Sequence, residues 1–73
     1  MTAQPRAFAP SDVRADCAAL AALDEPESYH CGEDALMLAL LRSLAAGRVS
    51  RPEECARIFL EQYDAYEGPR WYA

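Results

Sequence analysis

Four residues in this 73-residue chain have the softest ligand chemistry besides two Met: Cys17, His30, Cys31 and Cys55, spaced Cys-x12-His-Cys-x23-Cys. Structural zinc sites usually pair ligands about two to four residues apart, so that one loop supplies two corners of a tetrahedron. Adjacent His30 and Cys31 do not readily do that, and no metal ligand is assigned. Cys17 and Cys55 fall on expected core faces and read as small buried hydrophobes. Cys31 differs, because it is expected just ahead of a helix start and beside His30, the setting that makes a thiol nucleophilic. The acids around it oppose that reactivity. A thiol or zinc site around Cys31 is therefore kept as an alternative, and His30 reads as a surface loop histidine.

Carboxylates are plentiful, but general acid catalysis needs a desolvated pocket to tune one. A chain of 8.1 kDa buries only about 60% of its extended surface. It offers no Gly-rich phosphate loop, no HExxH and no Gly-x-Ser-x-Gly. No catalytic residue and no cofactor are assigned, and the expectation is a non-enzymatic protein.

The elements that hold these residues are helices. Ala occurs fifteen times and Leu eight, against four Val, Ile and Thr together, so helix formers abound and strand formers are nearly missing. All seven basic residues are Arg. Arg and Ala share GC-rich codons, which points to a high-GC bacterium or phage.

The expected architecture is all-α: a small three-helix up-down bundle over 11–73, with a flexible N-terminal arm at 1–10 and an aromatic C-terminal tail. Helices are expected at about 12–24, 33–46 and 51–67. The first is capped by Ser11 or Asp12, presents Val13, Cys17 and Leu20 on one face, and stops at Asp24-Glu25-Pro26-Glu27. The second starts near Gly32 to Asp34 and ends at Gly47 as a left-handed cap residue. Its apolar residues, Leu36, Met37, Leu38, Leu40, Leu41, Leu44 and Ala45, spread over roughly 200°, about twice what a surface helix needs. Such a helix is either central or buries one side against a partner. The third begins with a capping box, Ser50-Arg51-Pro52-Glu53, and closes at Gly68-Pro69.

Net charge is −5 and unevenly placed. Residues 15–41 carry six acids and no base, whereas 42–57 carry Arg42, Arg48, Arg51 and Arg57 against Glu53 and Glu54. An acidic surface of Asp24, Glu25, Glu27, Glu33 and Asp34 would steer a basic protein partner. Four of seven aromatics lie in the last eleven residues. The tail Arg70, Trp71 and Tyr72 has the composition of interface hot spots, and it joins the expected partner-binding set.

The expected function is a small acidic protein–protein interaction module, an inhibitor or adaptor, with a homodimer as an option. A helix-turn-helix-like DNA-binding regulator is the alternative, suggested by helix 2, the turn 46–50 and helix 3. Nucleic acid is disfavoured, because the third helix presents Glu53, Glu54, Glu61 and Asp64 where a reader of DNA needs cations and amides. The longest uncharged apolar run, Ala35–Leu41, falls far short of the roughly 20 residues of a bilayer span. No export signal is visible, so a cytoplasmic chain with reduced thiols and no membrane partner is expected.

Overall fold

The computed structural model describes residues 4–68 and shows a bundle of three helices, α1 (Pro10–Ala21), α2 (Pro26–Ala45) and α3 (Pro52–Ala65). The all-α reading holds. Among the described residues the only extended pairing is an isolated bridge between Phe8 and Val49. α1 packs most extensively on α3, and the α2–α3 contact is the slightest of the three.

Each helix begins on a proline, where the missing N–H costs nothing and the fixed φ suits the first turn. α1 starts at Pro10, two residues before the expected start, and Asp12 reaches back to accept the Ala9 amide at 2.8 Å. Val13, Cys17 and Leu20 fill its inner face, as their spacing requires. α1 ends at Ala21, short of the expected Asp24.

α2 departs most from expectation. It starts at Pro26, not near Gly32, because Glu25 is its cap: the carboxylate accepts the amides of Glu27 and Ser28, each at 2.9 Å, and the Ser28 hydroxyl at 2.8 Å. The seven extra residues turn Asp24-Glu25-Pro26-Glu27 from a terminator into an initiator. Gly32 lies inside α2 against α1, where an added Cβ would stand 2.6 Å from Leu20 Cδ2. At the other end Gly47 has φ 71. Gly47 donates to the Leu44 carbonyl at 3.0 Å and Arg48 to that of Ser43 at 2.8 Å. That is the Schellman pair that satisfies the last carbonyls.

α3 does not use the expected capping box. Its cap residue is Arg51, in the left-handed region at φ 49, ψ 59, with no side-chain cap bond. The Ser50 hydroxyl is taken by the Phe8 carbonyl at 3.3 Å. α3 ends at Ala65, and Tyr66 is extended. Its ring stacks on Tyr29 with centroids 3.9 Å apart, while Gln62 donates to the Tyr29 hydroxyl at 2.9 Å.

Residues 4–9 are docked on the bundle, contrary to the expected flexible arm. Phe8 is 2% exposed and belongs to the core with Val13, Cys17, Leu20, Tyr29, Leu36, Cys55 and Phe59. Its amide donates to the Arg48 carbonyl and its carbonyl accepts from the Ser50 amide, both at 2.9 Å. Arg48 also donates from Nε to the Pro5 carbonyl at 2.7 Å and from Nη1 to Gln4 at 3.0 Å. The buried Ser43 hydroxyl donates to the Arg6 carbonyl. Arg6 pairs with Asp16 at 2.6 Å and lies 4.2 Å over the Phe8 ring.

Candidate functional site: the outer face of α2

With its start at Pro26, α2 includes Tyr29 and gains a full turn at the N-terminal end of its inward stripe. The inner seam runs Tyr29, Glu33, Leu36, Leu40, Ser43, a spacing of four and three residues that keeps one stripe on the bundle. Tyr29, Leu36, Glu33 and Ser43 are buried, Glu33 at 1% and Ser43 at 0% exposure. The outer face carries Met37, Leu38, Leu41 and Leu44, exposed at 36%, 48%, 55% and 49%. At about 100° per residue these four fit an arc of roughly 120°, and all lie in the C-terminal part of the helix. Continued toward the N-terminus, the same stripe holds Asp34, His30 and Glu27.

An isolated surface helix has the reverse arrangement, with leucines in and carboxylates out. Scattered exposed leucines need no explanation, but a contiguous stripe beside polar residues calls for one.

The acidic surface read from the sequence is thinner in the structure. Asp24, Glu27 and Asp34 are exposed. Glu33 is in the interior, so it offers no carboxylate to a partner. Glu25 is exposed but spent on capping, and those three donors hold its carboxyl below the ordinary range, the Glu27 amide most strongly. Asp34 lies 3.5 Å from His30 Nε2, one turn away. His30 is a half-buried helix residue, not a loop residue. Arg70, Trp71 and Tyr72 lie outside the described residues.

Cys31 is the sixth residue of α2, on its exposed side. The free amides of a helix start, which would favour its thiolate, are therefore not next to it. Cys17 and Cys55 are buried free thiols, and burial pushes both thiols up, away from nucleophilic character. Cys55 Sγ donates to the Ser50 carbonyl at 3.3 Å. Among the described residues no three His, Cys, Asp or Glu side chains come together as a metal site. No helix there is long and apolar enough to cross a membrane.

A groove of about 620 Å³ lies between α1 and α3, lined by Arg14, Cys17, Glu54, Arg57, Ile58 and Glu61 among others. It is open along its length, and Arg14 faces Glu54 across it at 3.6 Å. On α3, Arg51 pairs with Glu54 at 2.7 Å, and the outward residues include Glu53, Glu61 and Asp64. The helix expected to read DNA thus has an acidic outer side.

The sequence pattern held the signal for this surface in the width of the apolar arc of helix 2. The rotation of that arc, which leaves Leu38, Leu41 and Leu44 outside and takes Glu33 in, is set by tertiary packing and is not encoded in the local pattern.

Fold and face together define a small three-helix bundle with an apolar outer stripe. No protein-family model, no curated protein and no solved structure matches the chain.

Proposed function

We propose that this chain is a small, acidic, non-enzymatic protein–protein interaction module that docks its partner on the outer face of α2. One observation carries the reading: α2 buries Glu33 and Ser43 while leaving Met37, Leu38, Leu41 and Leu44 in water. Stability of the monomer alone does not favour that arrangement, because each half-exposed leucine forgoes about half of the roughly 1.5–3 kcal/mol that full burial supplies. Docking on a partner recovers it. The rim at the N-terminal end of the stripe, Glu27 and Asp34 with Asp24 nearby, supplies the charge that orients a partner carrying cations beside an apolar patch. A module of this size and charge suits an inhibitor or adaptor of a larger assembly, working in the cytoplasm of a high-GC bacterium or its phage with its thiols reduced.

The test is site-specific photo-crosslinking in cells that produce the protein. A photoreactive residue at Leu41 or Leu38 is expected to join a protein, and the same residue at Glu61, exposed on α3, is not. Equal labelling at all three positions, or none at Leu41 and Leu38, removes the α2 face from the account. Reversing Glu27 to Arg should slow association and lower its salt dependence.

A further inference from the structure

We infer that residues 4–8 form a releasable strap, closed against a strained turn that relaxes when the strap lifts. The strained residue is Arg51, the one non-glycine residue among those described with a positive φ. All three helices start on a proline, and the residues before Pro10 and Pro26 are extended, Ala9 at φ −118, ψ 166 and Glu25 at φ −93, ψ 122. Extended backbone is what a residue preceding proline prefers. Arg51, before Pro52, is left-handed instead, at φ 49, ψ 59. Its Cβ makes that conformation costly.

The cause lies one residue back, because Ser50 is pinned on both sides. Its amide and its hydroxyl donate to the Phe8 carbonyl at 2.9 and 3.3 Å, and its own carbonyl accepts from the Cys55 thiol at 3.3 Å. Arg51 is tied into α3, since its carbonyl accepts the Cys55 amide at 3.1 Å. A chain fixed at Ser50 and again in the first turn of α3 leaves Arg51 to absorb the change of direction. Lifting Phe8 removes the first of those fixings. Arg51 can then take the extended backbone that Ala9 and Glu25 have.

The strap is built to lift by itself. Of residues 4–8 only Phe8 is buried, while Gln4, Arg6 and Ala7 are exposed. An isolated bridge joins it to the turn, with no ladder beyond Phe8 and Val49. Ser43 on the Arg6 carbonyl and Arg48 on that of Pro5 are single hydrogen bonds. A segment with one buried anchor and few backbone bonds opens while the rest of a fold stays closed. Opening uncovers the part of the core that Phe8 fills and re-aims the turn 48–51.

The test is native-state amide hydrogen exchange of the full chain, read residue by residue by NMR. The Phe8 and Ser50 amides, whose bonds close the strap, should be less protected than those of Cys17 and Phe59, inside α1 and α3. Two variants then isolate the backbone of residue 51. Arg51→Ala loses the 2.7 Å pair with Glu54 but keeps a Cβ in the left-handed position. Arg51→Gly loses the same pair and tolerates that backbone. The Gly variant should exchange at Phe8 and Ser50 about five- to thirtyfold more slowly than the Ala variant. Cys17 and Phe59 should change less, because glycine also frees the unfolded chain.

Wild-type protection at Phe8 and Ser50 equal to that at Cys17 and Phe59 would mean that the arm leaves only when the whole chain unfolds, and would overturn the strap. Equal exchange at Phe8 and Ser50 in the Gly and Ala variants would overturn its coupling to Arg51.

Discussion

Phe8 and the outer face of α2 handle apolar surface in opposite ways. Phe8 sits in a segment with two prolines and no periodicity, yet it is 2% exposed and bridges the turn after α2. Met37, Leu38, Leu41 and Leu44 sit in the longest of the three described helices and remain exposed. A side chain is drawn into the core by the contacts its backbone can reach, not by the regularity of its own segment. The arm reaches the core because Arg48, Ser43 and Ser50 capture its backbone carbonyls. The leucines stay out because Tyr29, Glu33, Leu36, Leu40 and Ser43 form the face of α2 that packs on the bundle.

The largest expected effect falls on the arm. Phe8→Ala removes a fully buried ring and leaves a cavity between α1, the 46–51 turn and α3, a change that costs about 3–5 kcal/mol. A domain of this length has about 4–11 kcal/mol in total, so urea unfolding should show most of its stability gone. A loss below about 1 kcal/mol would mean that the arm only rests on a bundle that stands without it. Ser43→Ala comes next. It deletes a buried hydroxyl and deprives the Arg6 carbonyl of its donor, for an expected loss of about 0.5–1.5 kcal/mol. That loss should shrink in a Phe8→Ala background, because both changes release the same segment.

On the other side of the comparison, Leu41→Asp should change unfolding by no more than about 0.5 kcal/mol, as surface substitutions do. A loss in the range of about 2–5 kcal/mol, typical of buried leucines, would place Leu41 in the core and erase the contrast between the two regions.

Much of the fold was legible in the sequence. Propensity sufficed for three helices, Val13, Cys17 and Leu20 for the inner face of α1, and Gly47 for the left-handed cap. Two features were not legible, for separate reasons. The docking of Phe8 depends on side chains more than forty positions away, and no local pattern encodes that contact. The same contact takes the Ser50 hydroxyl, which breaks the capping box that residues 50–53 spell out. The start of α2 was hidden because Glu is an uncommon cap and Pro26 reads equally well as a stop or as a first-turn residue. Misplacing that start by seven residues left Tyr29 off the helix and put Glu33 on a surface. For the proposed docking face, the apolar excess of helix 2 left open a central helix or one with a partner, and Asp24, Glu27 and Asp34 are exposed. Glu25 and Glu33 serve the fold instead.

The smallest effect tests that assignment of Glu25. Its carboxyl is held below the ordinary carboxylate range by the Glu27 amide, the Ser28 hydroxyl and the Ser28 amide. A lowered folded value stabilises the fold only while the group is ionised. The contribution is complete above the unfolded value of about 4.3, declines as pH falls from there, and is gone below the folded value. Glu25→Gln keeps an acceptor for the amides but has no charge to lose. It should therefore lower stability near neutral pH, where the ionised carboxylate contributes, and flatten the acid side of the profile, the two proteins converging as pH falls, read from urea midpoints between about pH 2 and 7. The variant should also associate as the wild type does, because a carboxylate that caps α2 is not part of the docking rim. Weakened association with an unchanged acid profile would return Glu25 to the surface and make the start of α2, like its leucines, part of the contact.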